Sequence, residues 1–363
     1  MQRPILTLLL AATLGLASLA QAQTLRWASQ GDPLTMDPHS QNEGLTNSMN
    51  GQVYERLVMR DKQLGIAPSL ATEWQQVSPL VWRFKLRPGV KFHDGSPFNA
   101  DDVAFSVERA KSPSSQIAAY ATACGTVKKI DKLTVVNPIF LQHLDTIFIM
   151  SKPWSEKYKV TKPLSFKDKE ETHASLNANG TGPYMLVSRQ PAIKTVYKRN
   201  PAWWGKLEGN VQEIVYSQIS NDATRLAALI SGEIDFVLDP APRDVARLRH
   251  TEGVRVIDGM ENRVIYVGMD QARDSLLYGK SPDGKNPFKD VRVRRALYQA
   301  IDIETIKTKL MNGLSVPTGS LMASTLAQYN DAQLEERLPF DLARARALMA
   351  EAGSSSPIGS PFQ

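Results

Sequence analysis

Residues 81–109 read VWRFKLRPGVKFHDGSPFNADDVAFSVER, and local rules decode this stretch from end to end. Trp82, Phe84 and Leu86 alternate with Arg83, Lys85 and Arg87, the period-two pattern of a strand with one buried and one wet face. Pro88-Gly89 turns the chain. Val90 to Phe92 then reads as a short partner strand ending at Asp94-Gly95, which predicts a β-hairpin. Asn99, with Asp102 three residues on, opens a helix whose Val103, Val107 and Ala110 share one side. A hairpin feeding a helix places the chain in the α/β class.

Downstream, Val211 to Ser217 reads as a strand and Asp222 to Ser231 as a helix capped by Asn221 and closed by Gly232, with Leu226, Leu229 and Ile230 facing one way. Ile234 to Leu238 is a second strand. This β-helix-β unit predicts parallel strands joined by a right-handed crossover, with loops at the strand ends open to a ligand. Arg243 to His250 reads as a helix, while Val254 to Ile257 and Arg263 to Asp270 read as further strands. Asp341 to Ala352 is a last helix.

At the start, Arg3 precedes an apolar run from Ile5 to Leu19, and Ala20-Gln21-Ala22 supplies a small-x-small cleavage site. Residues 1–22 therefore read as a secretory signal peptide. The run is shorter than the roughly 20 residues a membrane span needs. The chain has 363 residues, 42% of them hydrophobic and 22% charged, with a net charge of +6. That is ordinary globular material, long enough for two domains or more. Cys124 stands alone, which excludes an internal disulfide.

Catalytic and metal signatures are sparse. HExxH, paired CxxC and GxSxG do not occur, so metalloprotease, zinc-ribbon and α/β-hydrolase readings have no support. Gly279-Lys280-Ser281 ends like a phosphate-binding loop, but Asp274 stands where that motif needs glycine. His93-Asp94 reads as a hydrogen-bonded turn rather than a metal site. Arg292, Arg294 and Arg295, with Lys289, read as a solvated helix face; nothing points to nucleic acid. No cofactor or metal is expected.

Several segments in serial order resemble family 5 of the solute-binding proteins of ABC importers. Besides residues 81–109, these are Leu25 to Ser29 with Leu34-Thr35-Met36-Asp37-Pro38-His39, Val53 to Leu57, Asn179 to Tyr184, Asn200 to Gly205, Arg225 to Val237 and Asp290 to Asp302. The resemblance implies an α/β fold of the type II periplasmic binding protein kind: two lobes joined by a hinge, plus an inserted accessory domain. Mapped onto this chain, lobe I is residues 23–54 with 181–262, the accessory domain is 55–180, and a partial lobe II is 263–353. Residues 354–363 read as a disordered Ser/Pro/Gly tail unlike the family, as in a truncated product. The implied function is capture of a peptide or similar small solute in the periplasm by a monomer, for delivery to the permease and ATPase subunits of the importer. A remnant of such a receptor that no longer functions, and an exported hydrolase, are the alternative readings. The implied cleft residues are Asn42, Glu43, Gly44 and Asn50, then Asp239 and Pro240, then Tyr266 on the hinge strand. Trp203 and Trp204 are implied to be packing residues at the entrance to a strand.

Overall fold

The structure is a computed structural model that describes residues 23–137, 143–259, 261, 263–279, 281, 284–323 and 331–353. The expected signal peptide at 1–22 and the expected tail at 354–363 lie outside the described residues. The chain divides into two compact units: one holds the described residues up to Asp61 together with Gly65–Asp239, the other Lys62–Leu64 and those from Pro240 onward.

In the first unit the elements run β1 (Gln23–Ser29), α1 (Gly44–Asn50), β2 (Val58–Arg60), β3 (Ile66–Pro68), β4 (Ala71–Ser78), β5 (Val81–Leu86), α2 (Ala100–Ala110) and α3 (Ala118–Ala123). They continue with β6 (Lys128–Asp131), β7 (Thr134–Asn137), α4 (Lys152–Lys157), α5 (His173–Leu176), β8 (Tyr184–Gln190), β9 (Lys194–Arg199), β10 (Val211–Gln218), α6 (Asp222–Ile230) and β11 (Phe236–Val237). A five-stranded sheet has the order β11-β1-β10-β9-β8. Its strands β10 and β11 both run parallel to β1, which lies between them. The β-helix-β reading therefore holds as parallel, with a shorter second strand than Ile234 to Leu238. Helix α6 is capped by the Asn221 side chain, which accepts from Thr224 N at 3.0 Å, and Gly232 follows it at φ 74°. The buried line of α6 is Arg225 and Ala228, with Leu229 against the same cluster. Ile230, expected on the same face as Leu229, is exposed, while Arg225 turns in and donates to Ile219 O at 2.6 Å.

The stretch 81–109 builds the second sheet, of order β4-β5-β7-β6. Phe84 and Leu86 are buried in one cluster with Val103, Val107 and Ala110 of α2, while Arg83 and Lys85 are exposed. Asn99 and Asp102 close the capping box: Asn99 Oδ1 accepts from Asp101 N at 2.8 Å and Asp102 Oδ2 from Asn99 N at 2.9 Å. The predicted hairpin partner is a correction. β5 pairs with β4 and β7, and beyond its end Leu86 N and Arg87 N are already bonded to Leu133 O and Leu70 O. Both edges of β5 are taken, so Val90 to Phe92 closes its own narrow loop, with Phe92 N donating to Ser96 O and Phe98 N to Val90 O.

Distant segments meet where the backbone comes closest. A Cβ added at Gly180 would stand 2.0 Å from Val53 O, and one at Gly182 2.6 Å from it; only hydrogen fits there. Gly182 N donates to Val53 O and His93 N to Gly180 O, while His93 Nε2 donates to Gly182 O at 3.0 Å. His93 is the hydrogen-bonded turn residue its setting suggests. Beside this joint, the half-buried Trp203 and Trp204 donate their indole N–H groups to the two oxygens of Glu55, at 3.1 and 2.8 Å. Burial pushes the Glu55 carboxyl up, and the indole bonds pull the other way.

A buried ion pair fastens the chain between β1 and α1. Arg109 of α2 binds both oxygens of Asp37, at 2.8 and 2.7 Å, and donates to Val160 O and Lys162 O. Leu164 N also donates to Asp37, at 3.1 Å. Both side chains are wholly inaccessible. Burial alone would raise the Asp37 carboxyl, but the charge and hydrogen bonds of Arg109 hold it below its ordinary value.

In the second unit, α7 (Pro242–Arg249), α8 (Val291–Ala300), α9 (Ile303–Thr305) and α10 (Leu342–Glu351) are the α-helices among the described residues, with a 3-10 turn at Pro287–Lys289 and a π-helical turn at Ile306–Leu310. α8 and α10 pack through Ala296, Ala345 and Leu348, capped by Asp290 and Asp341. The strands expected at Val254 to Ile257 and Arg263 to Asp270 are not formed. A strand needs a neighbour for its N–H and C=O groups, and among the described residues no strand or bridge pairs with either stretch. Ile265, Tyr266 and Val267 are 85%, 68% and 68% exposed.

Two consequences are measurable. Arg109→Met strands the Asp37 carboxylate without its cation and lowers stability by about 3–5 kcal/mol, seen as a fall in the urea midpoint; a loss below about 1 kcal/mol contradicts this account. Gly180→Ala forces the 53–54 backbone away and costs about 2 kcal/mol or more, whereas Gly89→Ala, with open space around it, pays only for its positive φ.

Candidate ligand-binding surface

Open parallel sheets bind ligands outside the carboxyl ends of their strands. Here β1, β10 and β11 end together, tied by Ile219 N to Ser29 O and Leu238 N to Ala28 O. Just past β1, Gln218 Nε2 donates to Gln30 O at 3.0 Å, and the Tyr216 hydroxyl donates to Gly31 O. Burial, and then the charges of Asp32 and Glu43, push the Tyr216 hydroxyl up, so it stays a donor. Trp27 lies edge-on to Tyr216 and to Phe236, at centroid distances of 5.3 and 5.8 Å. Arg189 reaches in from β8, donating to Asp32 at 2.8 Å, to Thr195 Oγ1 at 3.0 Å and to Pro33 O.

The segment that follows leads to α1. Glu43 is its N-cap: the carboxylate accepts from Leu45 N, Thr46 N and Thr46 Oγ1, each at 2.8 Å. Thr46 Oγ1 accepts in turn from Leu34 N at 2.9 Å, which holds the loop onto the helix. Asn42 Oδ1 accepts from Asn47 Nδ2 at 3.0 Å. Gly44 faces open space, with nothing within 4 Å of an added Cβ. Asn50, at the other end of α1, is fully buried; its Nδ2 donates to Thr35 O at 3.4 Å, and its Oδ1 has no partner among the described residues.

Asn42, Glu43, Gly44 and Asn50 thus share one short helix and its cap, with Asn42, Glu43 and Gly44 exposed and Asn50 inside. Asp239 follows β11 in the same unit, exposed and at φ 56°, a left-handed conformation that Asp tolerates better than most residues. Pro240 and Tyr266 belong to the second unit. Sequence reading missed Asp32, Arg189, Trp27 and Phe236. Arg189 is 157 residues from its carboxylate, a pairing no local pattern announces. Among the described residues, no group of three or more His, Cys, Asp or Glu is placed to hold a metal ion. Burial pushes the Cys124 thiol up to about 12. The surface offers exposed polar groups and backbone at strand ends, suited to holding a solute by hydrogen bonds.

Comparison with known proteins agrees with this fold. The family described as bacterial extracellular solute-binding proteins, family 5 Middle, matches residues 65–360. That match runs past Gly353, into the segment that sequence reading set apart from the family. The dipeptide-binding protein of Escherichia coli K12 is 29% identical over 93% of this chain and 64% of its own length. The periplasmic oligopeptide-binding protein OppA of Salmonella typhimurium is 28% identical over 96% of this chain and 67% of its own. This chain therefore spans about two thirds of the length of these relatives. Among solved structures, the oligopeptide-binding protein AppA of Bacillus subtilis, in complex with a nonapeptide, superposes with a TM-score of 0.75 at 20% identity, covering 93% of this chain and 65% of AppA. The periplasmic binding protein DppA of Helicobacter pylori, in complex with the peptide STSA, gives 0.72 at 24% identity, over 92% and 66%. No helix among the described residues is long and apolar enough to cross a membrane. The chain belongs to the family 5 bacterial extracellular solute-binding proteins.

Proposed function

We propose that this protein is exported by residues 1–22 to the periplasm, where it captures a peptide or similar small solute and presents it to the permease and ATPase subunits of an ABC importer. Family membership carries this reading, and the strand ends with the capped helix α1 supply a surface suited to it. Binding is non-covalent: a few placed polar groups fix the solute and apolar surface excludes water. Asn42, Gly44 and Asp239 are the proposed contacts of the first unit. Glu43 contributes by capping α1, and Asn50 by supporting the loop from inside. Pro240 and Tyr266 are proposed from the family resemblance. Lobe I, at 23–54 with 181–262, and the insertion at 55–180 are the proposed domains.

A thermal-shift screen of the purified chain against di- and oligopeptides and metal chelates tests this. A ligand that binds only the folded form at a hundredfold its Kd stabilises by about 2.7 kcal/mol and raises the melting point. A cooperative melt that no compound shifts counts against capture. For the site, Gly44→Trp fills open space at the surface, so the unliganded melt stays unchanged while the ligand-induced shift disappears; an undiminished shift moves the site elsewhere.

A further inference from the structure

Neither ring nitrogen of His39 is free. Nε2 lies 2.8 Å from Phe148 O, a group that only accepts, so the proton sits on Nε2. Nδ1 lies 3.1 Å from an Arg109 terminal nitrogen, and since a guanidinium has donors and no acceptor, Nδ1 accepts. His39, Asp37 and the Arg109 side chain are shut off from solvent. A second proton on the ring has one place to go, Nδ1, and arriving there it breaks the bond to Arg109 and leaves two cations sharing one carboxylate without water.

The groups around the ring and around its partners Asp37, Arg109 and Phe148 come from several elements. Asp37 faces it from its own segment and Arg109 from α2. Tyr54, beyond α1, adds a buried hydroxyl whose ionisation burial pushes up. Phe148, Val160 and Lys162 contribute carbonyls, and the Arg56 guanidinium lies over the Phe148 ring at 3.8 Å. Among the described residues, Asp37 is the one carboxylate bonded to this group. The His39 backbone carbonyl accepts from Gln116 N and from Ser115 Oγ. Three residues further on stands Asn42, and then the cap of α1.

We propose that His39 is a proton-operated latch on the segment presenting Asn42, Glu43 and Gly44: acid protonates Nδ1, expels the ring from Arg109, loosens residues 35–44 and so releases a bound solute. The release half rests on the proposed function; the latch half does not.

The sign follows from linkage. In the closed state burial, then the Arg109 charge, hold His39 down at about 4, against the pull of Asp37 and Phe148 O. An unlatched ring returns to about 6.5. Above that value pH has no effect through this group; from there down to the closed-state value the closed-to-open ratio falls about tenfold per pH unit.

Hydrogen exchange of the amides of residues 36, 37 and 39–44 in the full chain, corrected for intrinsic rate from pH 7 to 4, reads the latch directly. His39→Gln keeps a donor for Phe148 O and carries no titrating nitrogen. The wild type opens about tenfold more per pH unit across the window and the variant is nearly flat; equal slopes in the two proteins overturn the latch. The imidazole nitrogen resonances of wild-type His39 give a second readout: a midpoint near the closed-state value supports it, and one near 6.5 in the folded protein overturns it. Peptide affinity measured over the same range separates the halves. Affinity that falls with the opening supports release, and constant affinity overturns it. If no peptide binds at any pH, the proposed function fails and the exchange result still decides the latch.

Discussion

Arg109 carries a guanidinium charge in a place water does not reach, and much of the first unit is arranged around it. The cost of stripping water from a guanidinium is met only when every donor finds an acceptor. Two oxygens of Asp37, the carbonyls of Val160 and Lys162 and the ring of His39 supply them. Those partners lie on two separate stretches of chain and Arg109 on a third, so satisfying one side chain fixes α2, the segment after β1 and the 160–164 turn relative to one another. A hydrophobic contact would tolerate sliding; this network does not.

A second constraint is steric. The 52–55 backbone passes so close to residues 180–184 that side chains are excluded at Gly180 and Gly182, and the space gained brings His93, Asp94 and Asn179 within hydrogen-bonding range. Glu55, held by two indoles, closes the same joint from the other side. Together these contacts join the five-stranded sheet to the β4-β5-β7-β6 sheet, while the loop past β1 is held separately by Arg189, Tyr216, Gln218 and Thr46. A solute-binding surface benefits from this, because groups already fixed in place lose little freedom on binding.

Local patterns were read well wherever the energy is local. The Asn99–Asp102 capping box, the alternation of Phe84 and Leu86 with charged neighbours, and the Asn221 cap depend on residues within a few positions of one another. Each appears as expected. Patterns failed where a partner decides the outcome. Val90 to Phe92 has strand-like residues but found both edges of β5 occupied, and Arg263 to Asp270 has them too but meets no pairing neighbour among the described residues. On the candidate surface, Asn42, Glu43 and Gly44 are proposed from family wording. That Glu43 spends its carboxylate on Leu45 and Thr46 was not legible there, although a carboxylate just ahead of a helix is itself a capping signal.

The amino-acid sequence by itself determined the α/β class, the helix starts, the wet and dry faces of β5 and the serial order of segments shared with the family, because propensity, capping and alternation act over a few residues. Only the tertiary structure decided which strands neighbour which, that Arg189 holds Asp32, and that Asp37, His39 and Arg109 form one sealed group. Those contacts span 70 residues or more, and the free energy that selects them comes from burial and charge pairing, which exist only once the chain has closed on itself.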